Sequence, residues 1–242
     1  MDIKNTDNAA TRRITALQTR VNMMKDHNYY FYNQPVQEIL EGAKVRVNGR
    51  IMGMYASYSY LGLVNHPRIN EAAKKAIDQW GTGTNGVRTL AGTLTLHNEL
   101  EETIANFKHT ETAITYTSGY VTNLTVISTL MGRGDYVFSD KINHASIVDG
   151  CLMSGSEFRR FRHNDTEHLE GLLKNAPADV AKLVIADSVF SMDGDIIDLP
   201  TTIAICKKYN AWLMIDEAHS IGVLGKTGRG IEEYYGIEDG ID

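Results

Sequence analysis

Four short segments of the chain each bring a chemically useful group to the end of an apolar run. Thr117-Ser118-Gly119-Tyr120 follows the run TAITY at 112–116 and opens a helical pattern. Backbone N–H groups and the helix dipole at such a start make a seat for phosphate, and Gly119 lets a ligand come close. The segment from Ser139 to Ser146 follows DYVF and puts the imidazole of His144 at the same rim. Ser188 to Gly194 follows KLVIAD and supplies the hydroxyl of Ser191. Asp216 ends AWLMID, with His219 three residues on. A carboxylate that closes a buried apolar strand is costly to ionise unless a cation meets it.

A phosphate seat, a flat imidazole, a hydroxyl and a buried carboxylate together suit one ligand, pyridoxal 5′-phosphate. Its phosphate takes the helix start and its ring a stacking face. Its phenolic oxygen takes hydrogen-bond donors, and its pyridinium nitrogen takes an acid. Each residue also has a plainer reading, with His144 as a helix cap and His219 and Ser191 as structural hydrogen-bonding groups. Joint placement on successive strand ends is what favours the ligand.

These groups need a scaffold that brings strand ends together. Strand-like runs fall at 112–116, 135–138, 158–161, 182–187 and 211–216, with helical runs between them near 119–131, 144–154, 165–175 and 200–209. KLVIAD and AWLMID are continuously apolar, as strands covered by helices on both faces are. Alternating β and α units imply a mostly parallel sheet, which binds ligands at the carboxyl ends of its strands. Upstream, Ile14, Leu17, Val21 and Met24 make one thin helical stripe, which needs a surface to pack on. AKVRV, Asn48-Gly49 and RIMGMYA read as a hairpin with a type I′ turn. Helices are expected from Pro67 to Trp80, with Ile69, Ala72, Ala73, Ala76 and Ile77 on one face and Gly81 as the cap, and over 94–107. The reading is an α/β protein with an N-terminal helix and hairpin arm over 1–60 and a cofactor-binding large domain over 61–242.

Bulk properties narrow the function. The chain has 242 residues, 24 Lys plus Arg against 30 Asp plus Glu, and a net charge of −6. This acidic balance argues against nucleic acid or anionic membrane as a partner, since phosphate backbones call for a basic footprint. No apolar run reaches the length of a membrane span. The start MDIKNTDNAATRR lacks the apolar core of a secretory signal, so a cytoplasmic place is expected. Cys151 and Cys206 form no disulfide framework or metal spacing.

Three motif matches fail on context. Asp216-Glu217-Ala218-His219 with Gly225-Lys226-Thr227 imitates a helicase and P-loop pair, but Ser220 stands where the P-loop needs its first glycine. Gly81-Thr82-Gly83-Thr84-Asn85-Gly86 spells a dinucleotide fingerprint, yet it follows a helix rather than a strand. Asp193-Gly194-Asp195 with Asp198 lacks the remaining ligands of a calcium loop and reads as a tight turn.

From Tyr55 to its last residue the chain resembles the α-oxoamine synthase family of fold-type I pyridoxal-phosphate enzymes. The resemblance rests on Tyr60-Leu61-Gly62-Leu63 before His66-Pro67, the loop GTGTNGVRTLAGT with His97, and TSGY. It continues through NHASIVDG, VFSMDGD and DEAHSIGVLGKTGRG. It implies an aminotransferase-type large domain. Ser118, Gly119 and Tyr120 would hold the cofactor and His144 would stack on its ring. Ser191 and His219 would approach the phenolic oxygen, and Asp216 would pair with the pyridine nitrogen. His144 and Asp216 would be the catalytic pair, with His144 as acid or hydrogen-bond donor near the substrate carboxylate. The implied reaction is a decarboxylative condensation. A small amino acid (serine, glycine or alanine) loses its α-proton and attacks an acyl thioester on CoA or an acyl carrier protein. Carbon dioxide leaves and an α-aminoketone is released. A homodimer is implied too, because related enzymes build their sites across a dimer interface.

Within the family, the HND at 163–165 and MGRGDYV resemble most the serine palmitoyltransferase branch. Tyr58 stands where many members carry Asn near the acyl donor, which leaves the acyl group open. The family's Schiff-base lysine and a later arginine for the substrate carboxylate would fall beyond Asp242. The lysines after His144 are Lys174, Lys182, Lys207, Lys208 and Lys226; the first four are expected away from the carboxyl-end rim, and Lys226 on a polar glycine turn, a poor place for a buried aldimine. The chain alone is therefore expected to be catalytically incompetent. The alternative is a non-catalytic half that binds the cofactor weakly or assembles with a second chain carrying the lysine.

Overall fold

The computed structural model describes residues 8–242, so the first seven residues of the non-secretory start lie outside the described residues. The chain divides into a unit ending at Gly62 and a unit running from Leu63 to Asp242.

The first unit holds helix α1 (Ala9–Asp26) and three antiparallel strands, β1 (Val36–Leu40), β2 (Lys44–Val47) and β3 (Arg50–Gly53). Asn8 caps α1 by accepting a hydrogen bond from the Thr11 N–H at 3.0 Å. Asn48 and Gly49 both have positive φ, 48° and 74°, as a type I′ turn between β2 and β3 requires. Strand β1 is an addition to the sequence reading. Its VQEIL has no turn signature and pairs through a register shift between Val36 and Glu38, with Glu38 meeting Arg46 at 3.0 Å. The α1 stripe is open, with Ile14 49% and Leu17 64% exposed.

The second unit begins with α2 (Pro67–Trp80) and α3 (Thr95–Lys108). Pro67 opens α2, where a missing N–H costs nothing, and Gly81 ends it at φ 75°. There follow α4 (Gly119–Leu130), β4 (Tyr136–Asp140), α5 (Ala145–Ser154), β5 (Glu157–Phe161) and α6 (Thr166–Lys174). The chain continues through β6 (Lys182–Asp187), α7 (Leu199–Lys208), β7 (Trp212–Asp216) and the short α8 (Ile231–Tyr235). The four strands form one parallel sheet in the order β5-β4-β6-β7. Every residue of β6 is buried, which accounts for its unbroken apolar run.

Side chains alternate across this sheet. Val137, Leu183 and Ile185 pack with Ile127 of α4 and with Ile147 and Cys151 of α5. Phe138, Val184, Ala186 and Leu213 pack on the other face with Leu169 and Leu173 of α6 and Leu199 and Ile203 of α7. The period of two in the strands thus feeds two helix layers. At Gly150 the layer on the first face is tight, because an added Cβ would lie 3.0 Å from the Asn123 carbonyl oxygen and 2.9 Å from Ile127 Cδ1. Burial pushes the thiols of Cys151 and Cys206 up to about 12, so both act as small apolar groups.

One expected strand is absent. Residues 112–116 pair with none of the four strands, and a strand without a ladder is not stable. Side chains hold the segment instead: the Thr115 N–H donates to Glu101 at 2.7 Å and Arg88 donates to the Thr115 carbonyl at 3.2 Å. The apolar faces of α2 and α3 are also open, with Ile77 and Leu100 about half exposed. Among the described residues no helix is long and apolar enough to cross a membrane.

Candidate functional site

The carboxyl ends of β4, β6 and β7 and the start of α4 bring the sequence-derived residues to one edge of the sheet. Ser118 is the N-cap of α4, its Oγ accepting from the Val121 N–H at 3.2 Å. The N–H groups of Gly119 and Tyr120 in the first turn are left for a ligand. A Cβ added at Gly119 would meet nothing within 4 Å, so the backbone there is open to close approach. The Tyr120 hydroxyl donates to the Asp149 carboxylate of α5, which fixes the phenol over the first turn and raises its pKa.

Asp216 ends β7 and is half-buried. Its Oδ2 accepts from Asn123 Nδ2 at 2.7 Å and its Oδ1 from the Ala218 N–H at 2.9 Å. Each carboxylate oxygen thus has one protein donor and keeps lone pairs for a further one. Asn123 Nδ2 also donates to Ser146 Oγ at 2.9 Å, and Ser146 Oγ lies 2.8 Å from His144 Nδ1. A continuous chain of hydrogen bonds therefore runs Asp216–Asn123–Ser146–His144. His144 is exposed and is the N-cap of α5, its Nδ1 accepting from the Ser146 N–H at 3.2 Å. Capping occupies one ring nitrogen and sets the ring's orientation, while the ring faces stay accessible.

Ser191 and His219 are less tightly defined. Ser191 is exposed in the turn after β6, beside Met192, which is 91% exposed. The hydroxyl that joins the β6 and β7 ends is Ser188, which donates to the Asp216 carbonyl at 2.9 Å and lies 2.9 Å from Ser220 Oγ. His219 sits half-buried in the turn three residues past Asp216.

Several site residues escaped the sequence reading. Asp187 is paired in register with Asp216 and accepts from the His144 N–H at 3.1 Å. Burial first, then the negative charges of Asp216 and Asp140, push its pKa up to about 7 against the backbone hydrogen bond from His144. Its signal was an acid ending a buried strand, the same signal that singled out Asp216. Glu217 accepts from Lys108 Nζ at 2.5 Å, from Ser220 Oγ at 2.6 Å and from the Ile231 N–H at 2.8 Å, locking the turn after Asp216. Arg88 and Glu101 form a two-point pair at 2.6 and 3.1 Å, and Arg88 also donates to Thr115. They hold the segment leading into Ser118.

The 81–86 glycine loop follows α2 and precedes no strand. Asp198 caps α7, and Gly194 turns at φ 77°. Among the described residues no group of His, Cys, Asp or Glu is arranged to hold a metal ion. Lys174 and Lys208 end helices α6 and α7, and Lys182 opens β6, its amine on the carbonyls of Ala178 and Val180.

Residues 54–242 match the aminotransferase class I and II family. The chain belongs to that family. It is 46% identical over 202 residues to 8-amino-7-oxononanoate synthase of Geobacter sulfurreducens, covering 84% of this chain and 52% of that protein. It is 41% identical over 222 residues to serine palmitoyltransferase of Sphingobacterium spiritivorum, covering 92% of this chain and 55% of that protein. Both relatives are α-oxoamine synthases, the group that the sequence resembles. A solved serine palmitoyltransferase from S. paucimobilis, with a bound PLP–myriocin aldimine, superposes with a TM-score of 0.93 at 36% identity. That superposition covers 97% of this chain and 61% of that one. The chain spans about half the length of the curated relatives it matches.

Proposed function

We propose that this chain is the pyridoxal-phosphate-binding part of an α-oxoamine synthase. The parent enzyme condenses a small amino acid (serine, glycine or alanine) with an acyl thioester on CoA or an acyl carrier protein. The observation that carries the reading is the hydrogen-bond chain from Asp216 through Asn123 and Ser146 to His144 at the strand ends. It presents an oriented carboxylate and an oriented imidazole on one wall, with the open first turn of α4 nearby. That set fits the cofactor: Gly119 leaves room beside free N–H groups for a phosphate, and Asp216 keeps a lone pair for a ring N–H.

When bound, the cofactor supplies an electron sink for the carbanion that forms at the amino acid's α-carbon. The chain's own residues do the rest. Gly119 and Tyr120 bind the phosphate through their N–H groups, and Asp216 holds a proton on the ring nitrogen. His144 would take a face of the ring and would offer an N–H to the substrate carboxylate. Ser191 and His219 donate toward the phenolic oxygen. Asp187, its pKa raised to about 7, carries less than a full negative charge beside Asp216 at neutral pH.

We further propose that the enzyme works in the cytoplasm as a homodimer, a second copy covering the open apolar stripe of Ile14 and Leu17 on α1. Light scattering on the full-length gene product is expected to give the mass of two chains.

The direct test is pyridoxal phosphate binding by the chain, followed by fluorescence, with Asp216→Ala as the control. Tight binding that Asp216→Ala leaves unchanged would show the site to be misassigned. Mass spectrometry of the aminoketone formed by the full-length product, under competition between thioesters, identifies the acyl donor.

A further inference from the structure

A second group of titratable side chains lies beside this rim and outside the roles above. His163, two residues past β5, has Asp140 on one ring nitrogen and Asp195 on the other. Nδ1 lies 3.1 Å from Asp140 Oδ1 and Nε2 lies 2.8 Å from Asp195 Oδ2. The three groups come from three neighbouring strand ends, because the sheet order is β5-β4-β6 and Asp195 lies in the loop after β6. Two strand spacings of about 4.8 Å separate β5 from β6, and an imidazole bridged at both nitrogens spans that gap over the end of β4.

Both partners are carboxylates, which when ionised only accept hydrogen bonds. A neutral imidazole has one N–H, so it satisfies one acid and turns a lone pair on the other. Imidazolium donates to both. Burial works against the charge, but the hydrogen bonds and charges of Asp140 and Asp195 outweigh it and raise the His163 pKa. These two acids are the titratable groups facing the ring from the elements around it. Two uncharged neighbours stand beside them: the Phe190 ring meets His163 edge-on with centroids 4.4 Å apart, and Asn164 donates its N–H to Asp140 Oδ2 at 2.8 Å. The other oxygen of Asp195, Oδ1, is buried with no hydrogen-bond partner.

The loop so held is the one that carries Ser191. It doubles back on itself through Phe190 N–H to the Asp195 carbonyl at 3.0 Å and Gly194 N–H to the Phe190 carbonyl at 2.7 Å. Ser191, Met192 and Asp193 form its exposed tip, while Phe190 and Asp195, at its two shoulders, are the residues that His163 touches.

We infer that His163, as imidazolium bridging Asp140 and Asp195, is a positioning residue that pins the Ser191 loop to the rim and releases it when the ring loses its proton. The consequence for cofactor binding rests on the proposed role of Ser191; the pin itself does not. The sign follows from the raised pKa. The pin is fully present below the ordinary histidine range, and is lost as pH rises through the higher folded-state value.

The test is amide hydrogen exchange of the 242-residue chain over the 189–197 peptide, expressed as protection factors across pH. In the unaltered chain, protection is expected to fall about tenfold from about pH 6 to about pH 9, a loss of about 1.4 kcal/mol in what holds the loop. His163→Gln, with donors on one atom only, is expected to have low protection at both ends of the range. Asp195→Asn keeps the shape, removes one charge, and is expected to flatten the same pH dependence should the glutamine variant fail to fold. Wild-type protection with wild-type pH dependence in a folded variant of either kind overturns the pin.

Pyridoxal phosphate affinity, measured in parallel, separates the two claims. Ser191→Ala is expected to weaken binding at every pH without changing loop protection. His163→Gln is expected to weaken it chiefly at low pH. If exchange behaves as stated but neither variant changes affinity, the pin stands and the role given to Ser191 falls.

Discussion

Asn123 holds Asp216 from across the sheet edge: its side-chain amide, 5% exposed on α4, donates to the carboxylate at 2.7 Å. The same nitrogen donates to Ser146 at the start of α5, so one amide fixes the acid that ends β7 against the histidine that caps α5. Neither helix nor strand alone would place them so.

Replacing Asn123 by Ala removes a hydrogen bond to a charged acceptor, which contributes about 1.5–3 kcal/mol. Pyridoxal phosphate affinity is expected to fall roughly ten- to hundredfold, since tenfold in affinity is about 1.4 kcal/mol. Asp216→Asn is expected to abolish turnover in the full-length enzyme while circular dichroism stays native. Fluorescence titration and turnover assays check the pair.

Asp187 gives stability a pH dependence of definite sign. Its pKa is raised to about 7 in the folded chain, so the folded state holds a proton that the unfolded state has released above the ordinary aspartate range. Stability contributed at this site therefore falls as pH rises from about 4 to 7 and is level above that. Asp187→Asn still accepts from the His144 N–H and has no charge to desolvate. Urea denaturation at pH 8 is expected to show it more stable than the unaltered chain, by about 4 kcal/mol at most.

Glu101 acts in the opposite direction. The Arg88 hydrogen bond, followed by those from Thr115, holds its carboxyl down to about 2. Its contribution is fully present above the ordinary glutamate range and is lost as pH falls toward 2. Glu101→Gln is expected to flatten that acid limb of the melting-temperature profile. It should also loosen 112–118, which hydrogen exchange at Thr115 would report.

Gly150→Ala is expected to destabilise the chain by about 1–3 kcal/mol, the usual cost of overpacking. The new methyl would press on the Asn123 carbonyl and on Ile127, forcing α4 from α5. Because α4 carries Asn123, cofactor affinity should fall together with stability, and thermal melting with titration would detect both.

Much of this was legible in the residues. The apolar run KLVIAD has the pattern of an interior strand, and β6 has those bounds. The Asn48-Gly49 turn and the Pro67 and Gly81 ends of α2 are local chemistry, set by which φ values those residues tolerate. Strand-end placement of His144 and Asp216 followed from alternation and from the rule that parallel sheets bind at their carboxyl ends, whereas Ser118 opens α4 after a segment that is no strand.

Long-range partners decided the rest. TAITY has the pattern of a strand but pairs with none of the four, because hydrogen-bond ladders belong to the sheet and not to the segment. His144 as a helix cap and as a ring-facing imidazole were indistinguishable by sequence, and the fold lets it serve the first while leaving its faces open for the second. Asp187 reads as one more acid after an apolar run until parallel register sets it beside Asp216, where burial and a neighbouring charge determine its proton. His163 reads as a polar residue in a turn until three strand ends converge on its ring. Residue type and local spacing determined the elements and the groups at their ends. Which of those groups share a proton or a hydrogen bond depended on distances between strands far apart in the chain, and only packing sets those.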